Sequence, residues 1–399
     1  MEFVSGGEEL CGALGCIMRV LDDVPPKSEL FLVKLQVEEG SANLLAADEN
    51  GTVLSLRVQN VNNGEDAEDG VVFLPPSHLD LFLRTVGAES IKVREMEDRT
   101  VFETHDSSLS LRSLNLPSTF PGIPNSLSGA VELELNSKIL RDMILRVVSA
   151  SSMEDDEEEE ASLALQGVLF VIGKDGSLEL VASDGSYLAR ARRNAVLPKG
   201  EERRFIIPSA IAHQLVSLSE YTCGNSFMQL FVSKERLVVE NSEFILTCPL
   251  IQQPFPDYRE VISSTLSAEG GEEVCLPVTQ MKDALRRIQP LWGSFFIDKV
   301  DCRFNKGSLT IAVALPDGGA SEIRIAPVEY EGEEFCISFN RRHLENTFSA
   351  IEEDLVIARF LDERAPCAIT VVGLTNEDRS YTYILSPVVL EDTSEASRE

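Results

Sequence analysis

Basic residues are scarce in this chain: 35 Lys and Arg stand against 66 Asp and Glu, a net charge of −31. That balance excludes a uniformly basic nucleic-acid binder, because a phosphate backbone attracts positive surface. Any contact with nucleic acid must come from locally segregated charge. Long apolar runs are also missing. None reaches the roughly 20 residues that span a bilayer. The N-terminal MEFVSGGEEL has neither the basic nor the apolar region of a secretory signal. These absences predict a soluble, cytoplasmic protein. The eight cysteines, at 11, 16, 223, 248, 275, 302, 336 and 367, contain no CxxC pair and no regular framework. That argues against a zinc site or a disulfide scaffold and for buried thiols in a reducing compartment. The four histidines are isolated, and no Walker A, GxGxxG, HExxH or GxSxG pattern occurs. Neither catalysis nor a metal nor a cofactor is expected.

What is present is a normal globular composition, 43% hydrophobic and 25% charged, over 399 residues. At about 100–200 residues per domain, that length predicts two to four domains. One short unit recurs: a β-prone apolar run, a Ser, Pro, Asn or Gly, then an amphipathic helix. Its instances are MEFVSGGEELCGAL, VFLPPSHLDLFLRTV, VELELNSKILRDMILRV, RFIIPSAIAHQLVSL, EVCLPVTQMKDALRRI and EFCISFNRRHLENTF. Ser, Asn and Pro suit helix starts because they cap or forgo the unpaired N–H groups there. Aligned on the apolar run, the anchors are Phe3, Phe73, Leu133, Phe205, Cys275 and Cys336, with gaps of 70, 60, 72, 70 and 61. A second repeat places Pro121, Pro256 and Pro387 after β-runs, 135 and 131 residues apart. Together they predict an α+β chain of three similar domains, 1–128, 129–263 and 264–390, each with two β/helix halves. A short acidic tail, 391–399, is expected to be disordered.

The charge is not evenly spread. The six helical stretches, 7–21, 76–87, 137–149, 208–221, 278–290 and 340–351, carry a net +3, and the remainder carries −34. Arg19, Arg84, Lys138, Arg141, Arg146, Lys282, Arg286, Arg287 and Arg341 lie on these helices. In the third helix, Lys138, Arg141 and Arg146 are expected on the polar side, away from the Leu140, Met143, Ile144 and Val147 stripe. One reading is a set of basic faces collected around a cavity that attracts phosphates without reading bases. The other is that Lys and Arg are simply good helix formers on solvated faces.

The residues then resemble a family. LQGVLFVIGKDGSLELVASDGSYLARARR (165–193) is similar to the central segment of the bacterial DNA polymerase III beta subunit, the sliding clamp, with its TDGHRLA-like turn. FPDYREVI (255–262) resembles the family's FPDY segment, FNRRHLENTF its FN-x-x-Y-L segment, and YTYILSPVVL its terminal strand. The resemblance spans residues 1–390. It implies three clamp domains per subunit and a homodimeric ring, with helices lining the hole and sheets forming the outer wall. It implies a processivity factor that encircles double-stranded DNA without base specificity. Its partners would be DNA polymerase, the clamp loader, other proteins carrying clamp-binding peptides, and itself; no membrane is involved. The nine basic residues above would face DNA. The alternative is a divergent clamp-fold scaffold that binds proteins but does not encircle DNA.

The resemblance also implies a partner-peptide pocket. Its residues would be Leu165, Ser183, Gly185, Ser186, Tyr187 and Leu188 from the central segment, and Pro256 and Val261 from FPDY. Asn340 and His343 would come from the FN segment, and Ile384, Ser386, Pro387, Val388 and Leu390 from the last strand. A mostly apolar groove suits short hydrophobic peptides. The chain departs from the family here: Ser186-Tyr187 stand for His-Arg, and Ser386 and Val388 for methionines. Two acidic stretches, 153–162 and 62–70, read as solvated loops.

Overall fold

The computed structural model describes residues 1–389 except 23, 39, 60, 62–68, 115–119, 125–126, 153–162, 195–196, 198, 223–226, 296–297, 316–317 and 372–378; the side chains of 291–295 and 379 are also outside the description. The acidic stretch 153–162, most of 62–70, Leu390 and the tail 391–399 therefore lie outside the described residues. The chain divides into two compact units: Met1–Arg141 with His213–Leu250, and Asp142–Ala212 with Ile251–Glu399.

The first unit holds two antiparallel sheets. One has the order β1-β6-β7-β8, from β1 (Glu2–Gly6), β6 (Ser90–Met96), β7 (Arg99–Glu103) and β8 (Ser108–Arg112). The other runs β5-β2-β3-β4-β16-β15-β14-β9. Its strands are β2 (Val33–Glu38), β3 (Ser41–Ala47), β4 (Val53–Arg57), β5 (Gly70–Leu74), β9 (Val131–Asn136), β14 (Phe227–Val232), β15 (Arg236–Glu240) and β16 (Phe244–Pro249). The second unit repeats the arrangement. Its large sheet is β13-β10-β11-β12-β24-β23-β22-β17, and its small one is β20-β19-β18-β21. These comprise β10 (Gly167–Ile172), β11 (Leu178–Ser183), β12 (Tyr187–Arg193), β13 (Arg203–Pro208), β17 (Glu272–Pro277) and β18 (Lys299–Asn305). They continue with β19 (Ser308–Ala314), β20 (Ala320–Ile325), β21 (Phe335–Asn340), β22 (Leu355–Phe360), β23 (Cys367–Val371) and β24 (Arg379–Leu385).

The strand order has a period of eight. β1-β6-β7-β8, β9-β14-β15-β16 and β17-β22-β23-β24 are the same path, as are β5-β2-β3-β4, β13-β10-β11-β12 and β21-β18-β19-β20. Within each unit the two kinds of set join once, through β4·β16 in one and β12·β24 in the other. The equivalent strands β8 and β20 instead end their own sheets.

All six anchors fall in strands that run directly into helices: α1 (Gly7–Met18), α2 (Pro76–Val86), α3 (Ser137–Val147), α4 (Ser209–Tyr221), α6 (Val278–Phe295) and α7 (Arg341–Ala350). Local chemistry starts three of them. Asn136 Oδ1 accepts from Lys138 N and Ile139 N at 3.1 and 3.2 Å. Asn340 Oδ1 accepts from Arg342 N at 2.8 Å, and Pro76 opens α2. Strands such as β2 and β18 show period-2 burial, whereas β10 and β11 are buried throughout.

Three expectations need correction. The segment after Pro256 forms a further helix, α5 (Tyr258–Ser267), capped by Asp257. The boundary drawn at 263 falls inside it. Among the cysteines, Cys16, Cys248, Cys302 and Cys367 are buried, but Cys336 is exposed on β21, a sheet-edge strand. Arg146 is not on the polar side of α3; it is 3% exposed. Its guanidinium bonds Glu353 at 2.7 Å and stands 4.5 Å from the Tyr381 ring centroid. Those partners are distant in sequence, so helical periodicity alone could not place it.

Candidate partner groove and basic helix faces

The turn between β11 and β12 is built by its own side chains. Asp184 Oδ1 accepts from Ser186 N at 2.8 Å, Tyr187 N at 2.7 Å and Ser186 Oγ at 3.1 Å. Ser183 Oγ donates to Tyr187 O at 2.8 Å and accepts from Gly185 N at 3.1 Å. Gly185 sits at φ +100°, a conformation that side-chain-bearing residues rarely adopt. The second Asp184 oxygen pairs with His343 Nε2 at 2.9 Å, and the Tyr187 ring stacks on the imidazole at 5.2 Å. Burial pushes the Asp184 carboxyl up, but the His343 bond and charge and the turn's N–H groups outweigh it. The net pKa lies below the usual aspartate value.

Beside this turn, one face of the large sheet carries an apolar cluster. Leu169, Val171, Val181, Leu188, Ile206, Ala368 and Ile384 come from the strands, with Ala164 from the segment before β10 and Tyr258 and Ile262 from α5. Ile251 and Phe255 pack against it, half-buried. Each large aliphatic side chain buried there contributes about 2 kcal/mol. Tyr258 is anchored from below: its hydroxyl donates to the buried Glu179 carboxylate, which also accepts from Arg190 Nε at 2.7 Å. Burial, then the Glu179 carboxylate, pushes the Tyr258 phenol up to about 12. The same chain segments present apolar side chains to solvent, with Val261 42% and Val389 49% exposed.

The expected pocket residues divide into groups. Leu188 and Ile384 are in the cluster. Pro256 and Val261 are exposed on the α5 segment, and Leu165, Ser386, Pro387 and Val388 are half-buried. Gly185 and Ser186 are exposed on the turn, while Ser183 and Tyr187 are buried beneath it. Ser386 N donates to Ser186 O at 2.8 Å, which ties the segment after β24 to the turn. Asn340 caps α7, and His343 on that helix is buried against Asp184 of the turn. Sequence reasoning missed Asp184, Glu179, Tyr258 and Ile262. Asp257 with Glu260 at the third helical position was a legible helix start that would have put Tyr258 and Ile262 on one face.

The basic residues also divide. Arg19, Lys138, Arg286 and Arg287 are exposed on or at the ends of their helices. Arg19 also bears on His213 of α4, whose pKa is lowered by burial first and by that charge second. Arg84 pairs with Asp80 at 2.9 Å, Arg141 with Glu220 at 2.7 Å and Arg286 with Asp283 at 2.7 Å. Lys282 Nζ donates to Ile351 O at 2.7 Å, and Arg341 lies 3.4 Å from Glu345. Arg84, Arg141, Arg286 and Arg341 thus already have carboxylate partners on the helices themselves.

Residues 134–257 match the family model of the DNA polymerase III beta subunit, central domain. The chain is 26% identical over 397 residues to the beta sliding clamp of Proteus mirabilis, covering 98% of this chain and 100% of that one. It is 24% identical over 396 residues to the beta sliding clamp of Chlamydia muridarum, with the same coverage. The crystal structure of the DNA polymerase III beta subunit of Thermotoga maritima superposes with a TM-score of 0.80 at 21% identity. It covers 98% of this chain and 100% of its own. That likeness establishes the α+β fold.

Proposed function

Because the chain belongs to the beta sliding clamp family, the non-enzymatic processivity subunits of DNA polymerase III, we propose that two copies close head-to-tail into a ring around double-stranded DNA. Each copy supplies three clamp domains, 1–128, a second from 129 through the end of α5 at Ser267, and a third from there to 390, with helices toward the hole and sheets outward. DNA polymerase, the clamp loader and other proteins carrying clamp-binding peptides dock at the turn and apolar cluster beside α5. Arg19, Lys138 and Arg287 meet phosphates, and the acidic exterior, −34 outside the six helical stretches, repels DNA from the wrong surface. The ring works in the cytoplasm without a cofactor.

The observation that carries closure is the unfinished strand repeat. β4 pairs with β16 and β12 with β24, whereas β8 and β20 are left as sheet edges. Pairing β20 of one copy with β8 of the next completes the period of eight at both seams and removes both exposed edges. The ring holds DNA by topology, so a weak, non-specific lining is sufficient. The test is solution mass together with retention on DNA. We expect twice the 43.9 kDa chain mass, and retention on circular DNA after loading with release on linearisation. A monomer, or immediate loss from closed circles, would count against encirclement. The second reading, a protein-binding scaffold that does not encircle DNA, is favoured by one observation: Arg84, Arg141 and Arg286 are already ion-paired and Arg146 is buried. It expects peptide binding with no loader-dependent retention.

A further inference from the structure

Resting on the reading of the Ser183–Tyr187 turn as the rim of a partner-peptide groove, we infer that Asp184 and His343 are positioning residues for partner binding, their hydrogen bond pinning that rim to α7. One carboxylate does two jobs. Asp184 Oδ1 closes the turn through Ser186 N and Tyr187 N, and Oδ2 takes the His343 Nε2 bond at 2.9 Å. The turn is thereby exposed and held at once. Gly185 and Ser186 face solvent, and a Cβ on Gly185 would meet nothing within 4 Å among the described residues. Behind them, Tyr187 is buried and stacks on His343, itself 8% exposed.

A role in stability alone does not account for the imidazole. Its other nitrogen, Nδ1, is buried with no hydrogen-bond partner among the described residues. A buried ring nitrogen left unpaired costs free energy that an apolar ring of the same shape does not. The imidazole Nε2 gives a directional contact that fixes where the turn sits relative to α7. The 159-residue separation of the pair means that no local chain geometry would fix it otherwise. A rim held before the peptide arrives lowers the ordering cost of binding, which appears mainly as slower dissociation.

The experiment uses the full-length protein and a panel of fluorescein-labelled hexapeptides carrying Leu and Phe at every pair of positions, followed by anisotropy and stopped-flow dissociation. His343→Phe keeps the ring stack and removes the donor. We expect about five- to tenfold weaker binding of the best peptide, mostly through faster dissociation, beside a fall in unfolding midpoint because Asp184 Oδ2 loses its partner. His343→Gln puts a side-chain amide N–H close to the position of Nε2, within reach of the Asp184 carboxylate 2.9 Å beyond it, and returns affinity to within about twofold. Wild-type affinity in His343→Phe overturns the inference, as does an equal loss in both variants that tracks their unfolding midpoints. Absence of binding by the unsubstituted protein overturns the groove reading itself, and the inference with it.

Discussion

The guanidinium carbon of Arg146 stands 4.5 Å from the centroid of the Tyr381 ring, with Glu353 at 2.7 Å and Asp142 at 3.7 Å. A residue of the third helix that sequence pattern assigns to DNA is thus a buried tie between α3, β24 and the segment after α7. Removing one partner of a buried ion pair leaves the others uncompensated. Arg146→Ala is expected to destabilise the protein by about 3 kcal/mol. Urea unfolding checks this; a change below about 1 kcal/mol would mean that the network contributes little.

The same network sets an acid dependence. Burial raises the Glu353 pKa, but the Arg146 hydrogen bond and charge lower it further, leaving it below its ordinary value of 4.5. A depressed carboxylate contributes stability that is fully present above its unfolded pKa and is lost as pH falls through the folded one. The stability gap between the unsubstituted chain and Arg146→Ala should therefore be constant from pH 7 to about 5 and shrink below about 4.5. General easing of the acidic surface affects both proteins alike and cancels in the difference. Urea midpoints measured at pH 7, 5, 4 and 3 decide it; a gap unchanged at pH 3 would refute the assignment.

These two cases mark where sequence stops being informative. The six strand–helix units were legible because their signals are local: Asn136, Asn340 and Pro76 act within three residues of the helices they start. The large sheet's β10 and β11 were legible as apolar runs. The helix α5 was obscured by Pro256, which reads as the close of a β-run, although Asp257 caps it. What sequence could not supply is pairing over distance. Arg146 meets Glu353 across 207 residues and Asp184 meets His343 across 159. Burial of an arginine depends on whether such partners arrive, and the helical wheel carries no trace of them.

The exposed basic residues make a separate prediction for DNA. Lys138→Ala and Arg287→Ala together should leave folding within about 0.5 kcal/mol, because both side chains are exposed. They should weaken DNA association evenly across sequences. They should also make the dependence of log affinity on log salt shallower by about 0.9 for each phosphate no longer neutralised. Arg146→Ala should not alter that slope. An unchanged slope in the double variant would remove these residues from the DNA-facing set.

The strand repeat predicts the register of the seam. In β4·β16, Val53 faces Thr247 and Ser55 faces Ile245. The hairpin β19–β20 opens at Ala314↔Ala320 as β3–β4 opens at Ala47↔Val53, so Ala320 corresponds to Val53. β7–β8 opens at Glu103↔Ser108 as β15–β16 opens at Glu240↔Ile245, so Ser108 corresponds to Ile245 and Ser110 to Thr247. Across the seam between two copies, Ser110 should face Ala320. Directly opposed residues on antiparallel strands have Cβ atoms about 4.5–5.5 Å apart, near the reach of a disulfide. Ser110→Cys with Ala320→Cys in one chain should give a covalent dimer under mild oxidation, linked at both seams, while each single variant should not. Both positions are exposed in the single chain, so neither change should disturb its fold. A native dimer that fails to cross-link at this pair but links when Ala320→Cys is combined with Ser108→Cys would shift the register by two. A chain that remains monomeric throughout would leave β8 and β20 as true edges and remove the ground for a closed ring.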